Sequence, residues 1–297
     1  MTTVDAHQHF YDPDRGQQAW LREPRFAHVR RPFGPEDLQP ELNRYGIDGT
    51  VLVQTWSNLR ETQEFLALAA RTPSVFGVVG WVDLTVPDVA DQIARLRAGL
   101  GGDQLVGIRH QVHDEPDDAW LLRDDVDRGL AAVDAAGLVF DLLIRPAHLR
   151  ASIDVADRHP SLRLVVDHIA KPNMSSGAQA DWRAAMADLA GRPNVFCKAS
   201  GLVTEVDWTA WDGAHLGTFV ADVIGWFGAE RVLFGSDWPV CLVAASYGEV
   251  LAIVAEVAAE RGPQAVAAVM GGAAVRCYRL QVPTTVRSVG PGGKHDG

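Results

Sequence analysis

Eight apolar, β-branched runs separated by helical stretches constrain this fold more than any other feature of the chain. The predicted strands cover residues 4–10, 49–54, 75–82, 105–110, 139–144, 162–168, 195–200 and 231–237. Helices are predicted at residues 35–45, 59–71, 86–99, 126–136, 146–158, 180–190, in a region that ends at 227, and at 247–261 and 264–280. Near-continuous apolar strands that alternate with helices indicate a parallel sheet covered on both faces. Eight such units in 297 residues predict an α/β fold, a single (β/α)8 TIM barrel.

The barrel is predicted to span residues 1–281, and residues 282–297 are expected to form a disordered tail. A long connection, residues 11–40, follows the first strand and is rich in proline, arginine and aromatic side chains. Long connections inside a compact domain usually serve function. We therefore expect this one either to close over the end of the first strand as a lid or to pack against the barrel.

The composition excludes several classes of function. A net charge of -11 argues against nucleic acid as a partner, because phosphate binding needs an excess of lysine and arginine. Three widely spaced cysteines (Cys197, Cys241 and Cys277) indicate a reducing compartment rather than a disulfide framework. The sequence shows neither a secretory signal nor an apolar run long enough to span a bilayer. We expect a cytoplasmic enzyme with a small-molecule substrate and no membrane partner; a homo-oligomer is compatible with the sequence.

Polar, charged and aromatic side chains gather at the predicted strand ends, where the active site of a TIM barrel lies. They include His7, His9, Trp56, Trp81, Arg109, His110, Arg145, His168, Lys198, Asp237 and Trp238. A purely structural barrel would not need so many ionisable groups on one rim, since each is costly to bury without a partner. This convergence predicts a functional site.

Four of these residues form the candidate catalytic set. His7 and His9 are two residues apart, so on a strand both imidazoles share one face and offer half of a site for a divalent metal or an anionic group. His168 and Asp237 also lie at predicted strand ends and complete the set.

The remaining candidates are predicted to contact the substrate, although each has a structural alternative. They are Arg109, His110, Arg145, Lys198, Trp56, Trp81 and Trp238. Lys198 could instead form a buried ion pair with Asp141 or Asp237, and either Arg109 or His110 must face the helices. Each tryptophan could equally pack in the core. Five other histidines are expected at the surface: His28, His113, His148, His159 and His215.

Several familiar catalytic devices are absent from the sequence. No Gly-x-Gly-x-x-Gly follows a predicted strand, which weakens a dinucleotide-binding alternative. There is no Gly-x-Ser-x-Gly elbow of a serine hydrolase and no His-Glu-x-x-His of a zincin. The strand-end residues are therefore the main source of functional predictions.

Four motifs carry a resemblance to a known family. They are VDAHQHF at residues 4–10, VVDHIAKP at 165–172, CKASGL at 197–202 and FGSDWPV at 234–240. Together they resemble the amidohydrolase superfamily, and within it the branch of enzymes that hydrolyse sugar lactones and dicarboxylate lactones. The resemblance covers residues 1–281.

The resemblance implies at most one divalent metal such as Zn²⁺, and some relatives work without any. The bridging Lys or Glu of binuclear relatives is missing, because Arg109, Asp141 and Arg145 stand on the fourth and fifth strands. A single ion would be held by His7, His9 and Asp237.

The resemblance and the residues together predict lactone hydrolysis. Asp237 is expected to be the general base for the attacking water, with His168 close to the lactone carbonyl or the water. Without metal, the imidazoles would stabilise the oxyanion together with Arg109 or Lys198. A sugar lactone is favoured by resemblance, whereas a dicarboxylate lactone would use Lys198, Arg109 and Arg145. A lactone isomerase, a zinc-dependent decarboxylase and a non-catalytic small-molecule-binding barrel remain alternatives.

Overall fold

Eight parallel strands run in sequence order around one sheet. The computed structural model describes residues 1–15, 18–174 and 179–283. The strands are β1 (Val4–Gln8), β2 (Gly49–Val53), β3 (Val75–Gly80), β4 (Leu105–His110), β5 (Val139–Leu142), β6 (Leu164–Val166), β7 (Val195–Ala199) and β8 (Val232–Phe234). Helices surround the sheet, so the predicted single (β/α)8 barrel is confirmed.

The helices follow the strands in the predicted alternation. They are α1 (Pro35–Tyr45), α2 (Leu59–Ala69), α3 (Val89–Ala98), α4 (Asp124–Ala135), α5 (Leu149–Arg158), α6 (Ala180–Ala190), α7 (Gly213–Phe227), α8 (Tyr247–Ala259), α9 (Pro263–Ala267) and α10 (Ala273–Tyr278). Among the described residues, we find no helix whose length and apolarity would carry it across a lipid bilayer.

Alternation along the strands divides the core into two layers. On β6, Leu164 and Val166 pack outward against the helices, whereas Val165 points into the barrel. The inner layer fills the lower part of the barrel with small and branched apolar side chains, and α10 adds Tyr278 to it. Because this layer closes the barrel from below, the polar strand ends stand at the opposite rim.

Two segments differ from the sequence prediction. The predicted helix 264–280 is interrupted by a π-helical turn, Ala268–Gly272, where Gly271 lies directly against the backbone of Thr2. The connection 11–40 contains two short 3-10 helices, Ala19–Arg22 and Pro24–Val29, before α1 begins. The predicted tail, 282–297, falls from residue 284 onward outside the described residues.

Candidate active site

The two ends of the sheet meet at the predicted catalytic residues. The Asp237 N–H donates to the carbonyl oxygen of His7 (2.8 Å), and the His9 N–H donates to that of Trp238 (2.7 Å). These bonds join the ends of β1 and β8, which are more than two hundred residues apart in sequence. Closing the barrel therefore also assembles its site.

His7, His9 and Asp237 form a compact cluster at this closure. The Nε2 atoms of His7 and His9 are 3.2 Å apart. Oδ1 of Asp237 lies 3.3 Å from Nε2 of His9 and 3.8 Å from Nε2 of His7. All three side chains are almost completely buried. The structure thus brings together the three residues predicted to hold a metal.

His168 joins the cluster from the end of β6. Its ring centroid lies 4.5 Å from that of His7, and one potential ligand atom from each of His7, His168 and Asp237 lies within 4.8 Å of the others. The Nδ1 of His168 lies 2.9 Å from Oγ of Ser200. Gly201 makes room for this ring, because a Cβ there would stand 2.4 Å from Nδ1.

Burial and neighbouring charges set the protonation of the cluster. Burial lowers the pKa of His7 well below its ordinary value, and the Lys198 cation lowers it further. Burial also lowers the pKa of His168 well below its ordinary value. Burial alone would raise the pKa of Asp237, but the imidazoles of His168 and His9 outweigh it and hold that pKa below its usual range. At neutral pH, Asp237 is therefore ionised and the imidazoles of His7 and His168 are neutral.

A buried ionic network supports His7 from below. Lys198 Nζ lies 2.5 Å from Asp141 Oδ2, 2.9 Å from Asp167 Oδ1 and 3.2 Å from His7 Nδ1. Arg109 Nη1 lies 2.9 Å from Asp167 Oδ2 and 3.3 Å from His7 Nε2. Each inner cation is thus already paired with a buried carboxylate.

Asp5 holds the ends of β1 and β8 in position. Its carboxylate accepts hydrogen bonds from the N–H (2.9 Å) and hydroxyl (2.6 Å) of Ser236, from the N–H of His7 (3.1 Å) and from the hydroxyl of Tyr247 (3.1 Å). Because Ser236 directly precedes Asp237, this one buried carboxylate orients both halves of the cluster.

The donor set fits a divalent ion such as zinc. Nδ1–H of His9 donates to the carbonyl oxygen of Val53 (2.7 Å), which leaves the lone pair on Nε2 directed towards Asp237. A histidine ligand is commonly held in this way by a backbone carbonyl behind it. Two imidazoles and a carboxylate within 4 Å of one another match the ligand types that zinc prefers.

A cavity of about 340 Å³ opens above the cluster. His9, His168 and Asp237 lie on its walls. Other residues that line it are Trp20, Glu23, Arg25, Phe26, Thr55, Arg109, Gln111, His113, Asp114, Leu143, Arg145, Lys171, Thr204, Glu205, Trp208 and Val240. The connection between β1 and α1 thus forms part of the wall, in keeping with the expectation that it covers the first strand.

Two of the seven predicted substrate contacts, Arg109 and Arg145, line this cavity, and Arg109 is engaged by Asp167. Lys198, also predicted to contact the substrate, is fully buried and forms ion pairs with Asp141 and Asp167. His110, another predicted contact, is stacked on Trp120 at a centroid distance of 4.1 Å.

The three predicted tryptophan contacts also lie elsewhere. Trp81 donates its indole N–H to His110 (3.1 Å), and Trp238 packs edge-on against Phe33. Trp56 lines a separate groove beside α2. Core packing, the structural alternative given for each tryptophan, describes Trp238, which belongs to the core cluster.

The sequence missed an aromatic wall and misplaced some histidines. Phe26 lies 5.0 Å from Trp20 and 5.3 Å from Trp208 between ring centroids, so the connection docks on the loop after β7. The aromatic content of residues 11–40 was the only signal for this wall. His113, His148 and His159 are largely buried rather than solvated, and His113 lines the cavity.

Comparisons with known proteins agree with this site. The family model described as Amidohydrolase matches residues 4–280. An L-fucono-1,5-lactonase of Burkholderia ambifaria is 40% identical over 285 residues, covering 95% of this chain and 97% of that protein. An L-fucono-1,5-lactonase of Burkholderia multivorans is 37% identical over 295 residues, covering 96% of this chain and 98% of that protein.

A solved structure supports the same relationship. The crystal structure of an amidohydrolase from Burkholderia multivorans with bound zinc has a TM-score of 0.90 and 36% sequence identity, covering 95% of this chain and all of that one. The family match spans nearly the whole barrel, including all four motifs identified in the sequence. The chain therefore belongs to the amidohydrolase family.

Proposed function

We propose that this protein is an enzyme that hydrolyses the lactone of a sugar acid. The observation that carries the proposal is an ionised carboxylate, Asp237, set among neutral imidazoles at the base of a cavity. The similarity to two L-fucono-1,5-lactonases at 40% and 37% identity supports the same activity. Ring opening by water needs a base and a polarised carbonyl, and no covalent nucleophile.

Asp237 is the general base of the proposed reaction. Its carboxylate removes a proton from water as the water oxygen bonds to the lactone carbonyl carbon. His168 lies on the same cavity wall, and an N–H of its ring stabilises the negative charge that develops on the carbonyl oxygen. The bond between the carbonyl carbon and the ring oxygen then breaks, and the ring oxygen takes the proton held by Asp237.

We also propose that His7, His9 and Asp237 can hold one divalent ion, with zinc favoured by the ligand types. Such an ion, when bound, lowers the pKa of a coordinated water and polarises a carbonyl. The chain's own contribution is to fix the three side chains: Val53 orients His9, and Asp5 orients the backbone of His7 and Ser236.

The charge balance of the site favours a neutral sugar lactone over a dicarboxylate lactone. Two of the three cations expected to bind a carboxylate, Arg109 and Lys198, are paired with Asp167 and Asp141. On the cavity wall, Lys171 pairs with Glu205 at 2.6 Å. The aromatic wall and the paired polar groups suit the apolar and hydroxyl faces of a sugar ring.

We further propose that the enzyme works in the reducing cytoplasm. Its three cysteines are all unpaired and buried. Burial raises the pKa of the Cys197 and Cys277 thiols above their ordinary value, so very little reactive thiolate forms at neutral pH. Their role is packing in the core.

The proposal is tested by proton release from neutral aldonolactones and dicarboxylate lactones, with and without chelator. We expect neutral lactones to be hydrolysed faster, and Asp237→Asn to lower kcat by about 10²–10⁴-fold while the thermal midpoint is kept. Asp154→Asn is the matched control, because Asp154 pairs with Arg150 on the surface of α5.

Full activity of Asp237→Asn would contradict the assignment of the base. A product with the lactone moved to another hydroxyl, detected by NMR, would favour an isomerase. Carbon dioxide release in place of ring opening would favour a decarboxylase, and tight binding with no turnover would favour a binding protein.

A further inference from the structure

The hydroxyl of Ser200 has a restricted environment. Ser200 follows β7 and is fully buried, and its Oγ lies 2.9 Å from Nδ1 of His168. Within the part of the chain that the structure describes, this ring nitrogen is the hydroxyl's one hydrogen-bond partner. A buried hydroxyl proton without an acceptor loses its bond to water and gains nothing in return. The hydroxyl therefore donates to Nδ1.

We propose that Ser200 is a positioning residue that selects the tautomer of His168: Ser200 donates to Nδ1, and His168 carries its own proton on Nε2. The inference rests on the proposed lactone hydrolysis, in which an N–H facing the cavity can donate to the carbonyl oxygen. The opposite tautomer would place the proton on Nδ1, leave the Ser200 hydroxyl without an acceptor and present a lone pair to the developing oxyanion.

The surroundings of the ring support this arrangement. The backbone of His168 is left-handed (φ 52°), and this turns the imidazole so that Nδ1 meets the end of β7. Gly201 adds no side chain that could push the ring away. The turn and the glycine together hold Nδ1 against the Ser200 hydroxyl, which leaves Nε2 as the other ring position for the proton.

The charge of Asp237 favours the same tautomer. One ligand atom of His168 lies within 4.8 Å of one on Asp237, so this carboxylate is close to the ring. A proton on Nε2 faces this carboxylate side of the site, whereas a lone pair there would be repelled by it. Ser200 and Asp237 thus act on opposite edges of one ring.

The first test is nitrogen NMR of histidine-labelled protein treated with chelator. A ring nitrogen that carries a proton resonates well upfield of one with a lone pair, so the two tautomers are distinguished directly. We expect His168 to be protonated at Nε2, with Nδ1 unprotonated and hydrogen-bonded; His168→Gln assigns the signals. A proton on Nδ1 would overturn the proposal. This readout does not need turnover, so failure of lactone hydrolysis and failure of the tautomer assignment are separate results.

The second test compares Ser200→Ala with Ser152→Ala. Ser152 lies on α5 and is also fully buried, but it donates to the carbonyl oxygen of His148, away from the site. We expect Ser200→Ala to shift the Nδ1 resonance and to lower kcat about tenfold, with KM changed less than about twofold. Ser152→Ala should leave the His168 signals and kcat as in the wild type. An unchanged Nδ1 signal and kcat in Ser200→Ala would refute the role, and the wild-type spectrum decides alone if that variant does not fold.

Discussion

At the scale of single residues, both proposed reacting side chains sit on strained backbone. His168 has φ 52° and Asp237 has φ 57°, in the left-handed region that side chains with a Cβ rarely adopt. Such conformations cost about 1–3 kcal/mol each and persist only where the surroundings impose them. For Asp237, that support comes from two sets of hydrogen bonds. Its own N–H donates to the carbonyl oxygen of His7, and the N–H and hydroxyl of the preceding Ser236 donate to the Asp5 carboxylate.

Lys198 gives a prediction at the same scale, because its ammonium group is buried between two carboxylates. Lys198→Met would leave Asp141 without a cation and Asp167 with Arg109 alone. We expect the free energy of unfolding to fall by about 3–5 kcal/mol, measured by denaturant titration. Replacing Asp141 by Asn in the same protein should restore part of this loss. A raised KM with unchanged stability would instead indicate a substrate contact.

At the scale of elements, β1 shows why the position of the two histidines is subtle. Val4 and Ala6 belong to the inner layer of the barrel, yet His7 and His9 also reach the cluster on the inner rim. Strict alternation would not allow both pairs to face inward. The pairing of β1 with β2 shifts register between Asp5 and Gln8, and this irregularity changes which side chains point into the barrel. The prediction that His7 and His9 share a face therefore holds for these two residues, but the same alternation does not extend back to Val4 and Ala6.

The link between β2 and α2 gives a prediction about pH. Glu61, in the first turn of α2, accepts the N–H groups of Thr55 (2.9 Å) and Trp56 (3.0 Å) at the end of β2. Burial raises its pKa from 4.5 to about 7, against these hydrogen bonds, which lower it. Between these two pKa values, the folded protein keeps a proton on Glu61 that the unfolded chain has lost. The contribution of this proton to the free energy of unfolding is complete below pH 4.5 and is lost as the pH rises through 7.

We expect Glu61→Gln to flatten the pH dependence of stability. Between about pH 5 and 7.5, its free energy of unfolding should fall less steeply than that of the wild type. Glu64→Gln is the control, because Glu64 is exposed on the same helix and pairs with Arg60. Identical slopes for Glu61→Gln and the wild type would show that Glu61 is ionised in the folded protein.

At the scale of the whole molecule, the C-terminal helices both pack against the barrel and supply hydrogen bonds to its buried carboxylates. Tyr247 of α8 donates to Asp5 (3.1 Å), and Tyr278 of α10 donates to Asp141 (2.8 Å). Both acceptors are fully buried carboxylates. The last helices therefore provide hydrogen bonds that the strands alone leave unmade.

Two truncations test this dependence. A chain that ends after Ala267 lacks α10 and Tyr278, so we expect it to lose cooperative thermal unfolding and activity. A chain that ends after Pro283 keeps every contact described here, and its thermal midpoint should stay within about 2 °C of the full-length value. Cooperative unfolding of the shorter chain would show that α10 is dispensable for the fold.

The sequence by itself determined the barrel and predicted the four residues that the structure gathers in the candidate site. Eight apolar strands with intervening helices specify the topology, because a strand that is buried on both faces is a nearly continuous apolar run in the sequence. His7, His9, His168 and Asp237 could be identified because each ends a strand, and all parallel strands end at one rim.

Tertiary structure alone decided how the surrounding charges are used. Whether Lys198 and Arg109 bind a substrate or pair with a carboxylate depends on which side chains of the adjacent strands lie within about 3 Å of their nitrogen atoms. Such contacts join residues that are far apart in the chain. The same holds for the aromatic wall of Trp20, Phe26 and Trp208, which forms only when two distant loops dock over the rim. The local hydrophobic pattern indicates which face of a strand or helix is buried. The packing of the whole barrel decides which charged or aromatic side chains then contact one another.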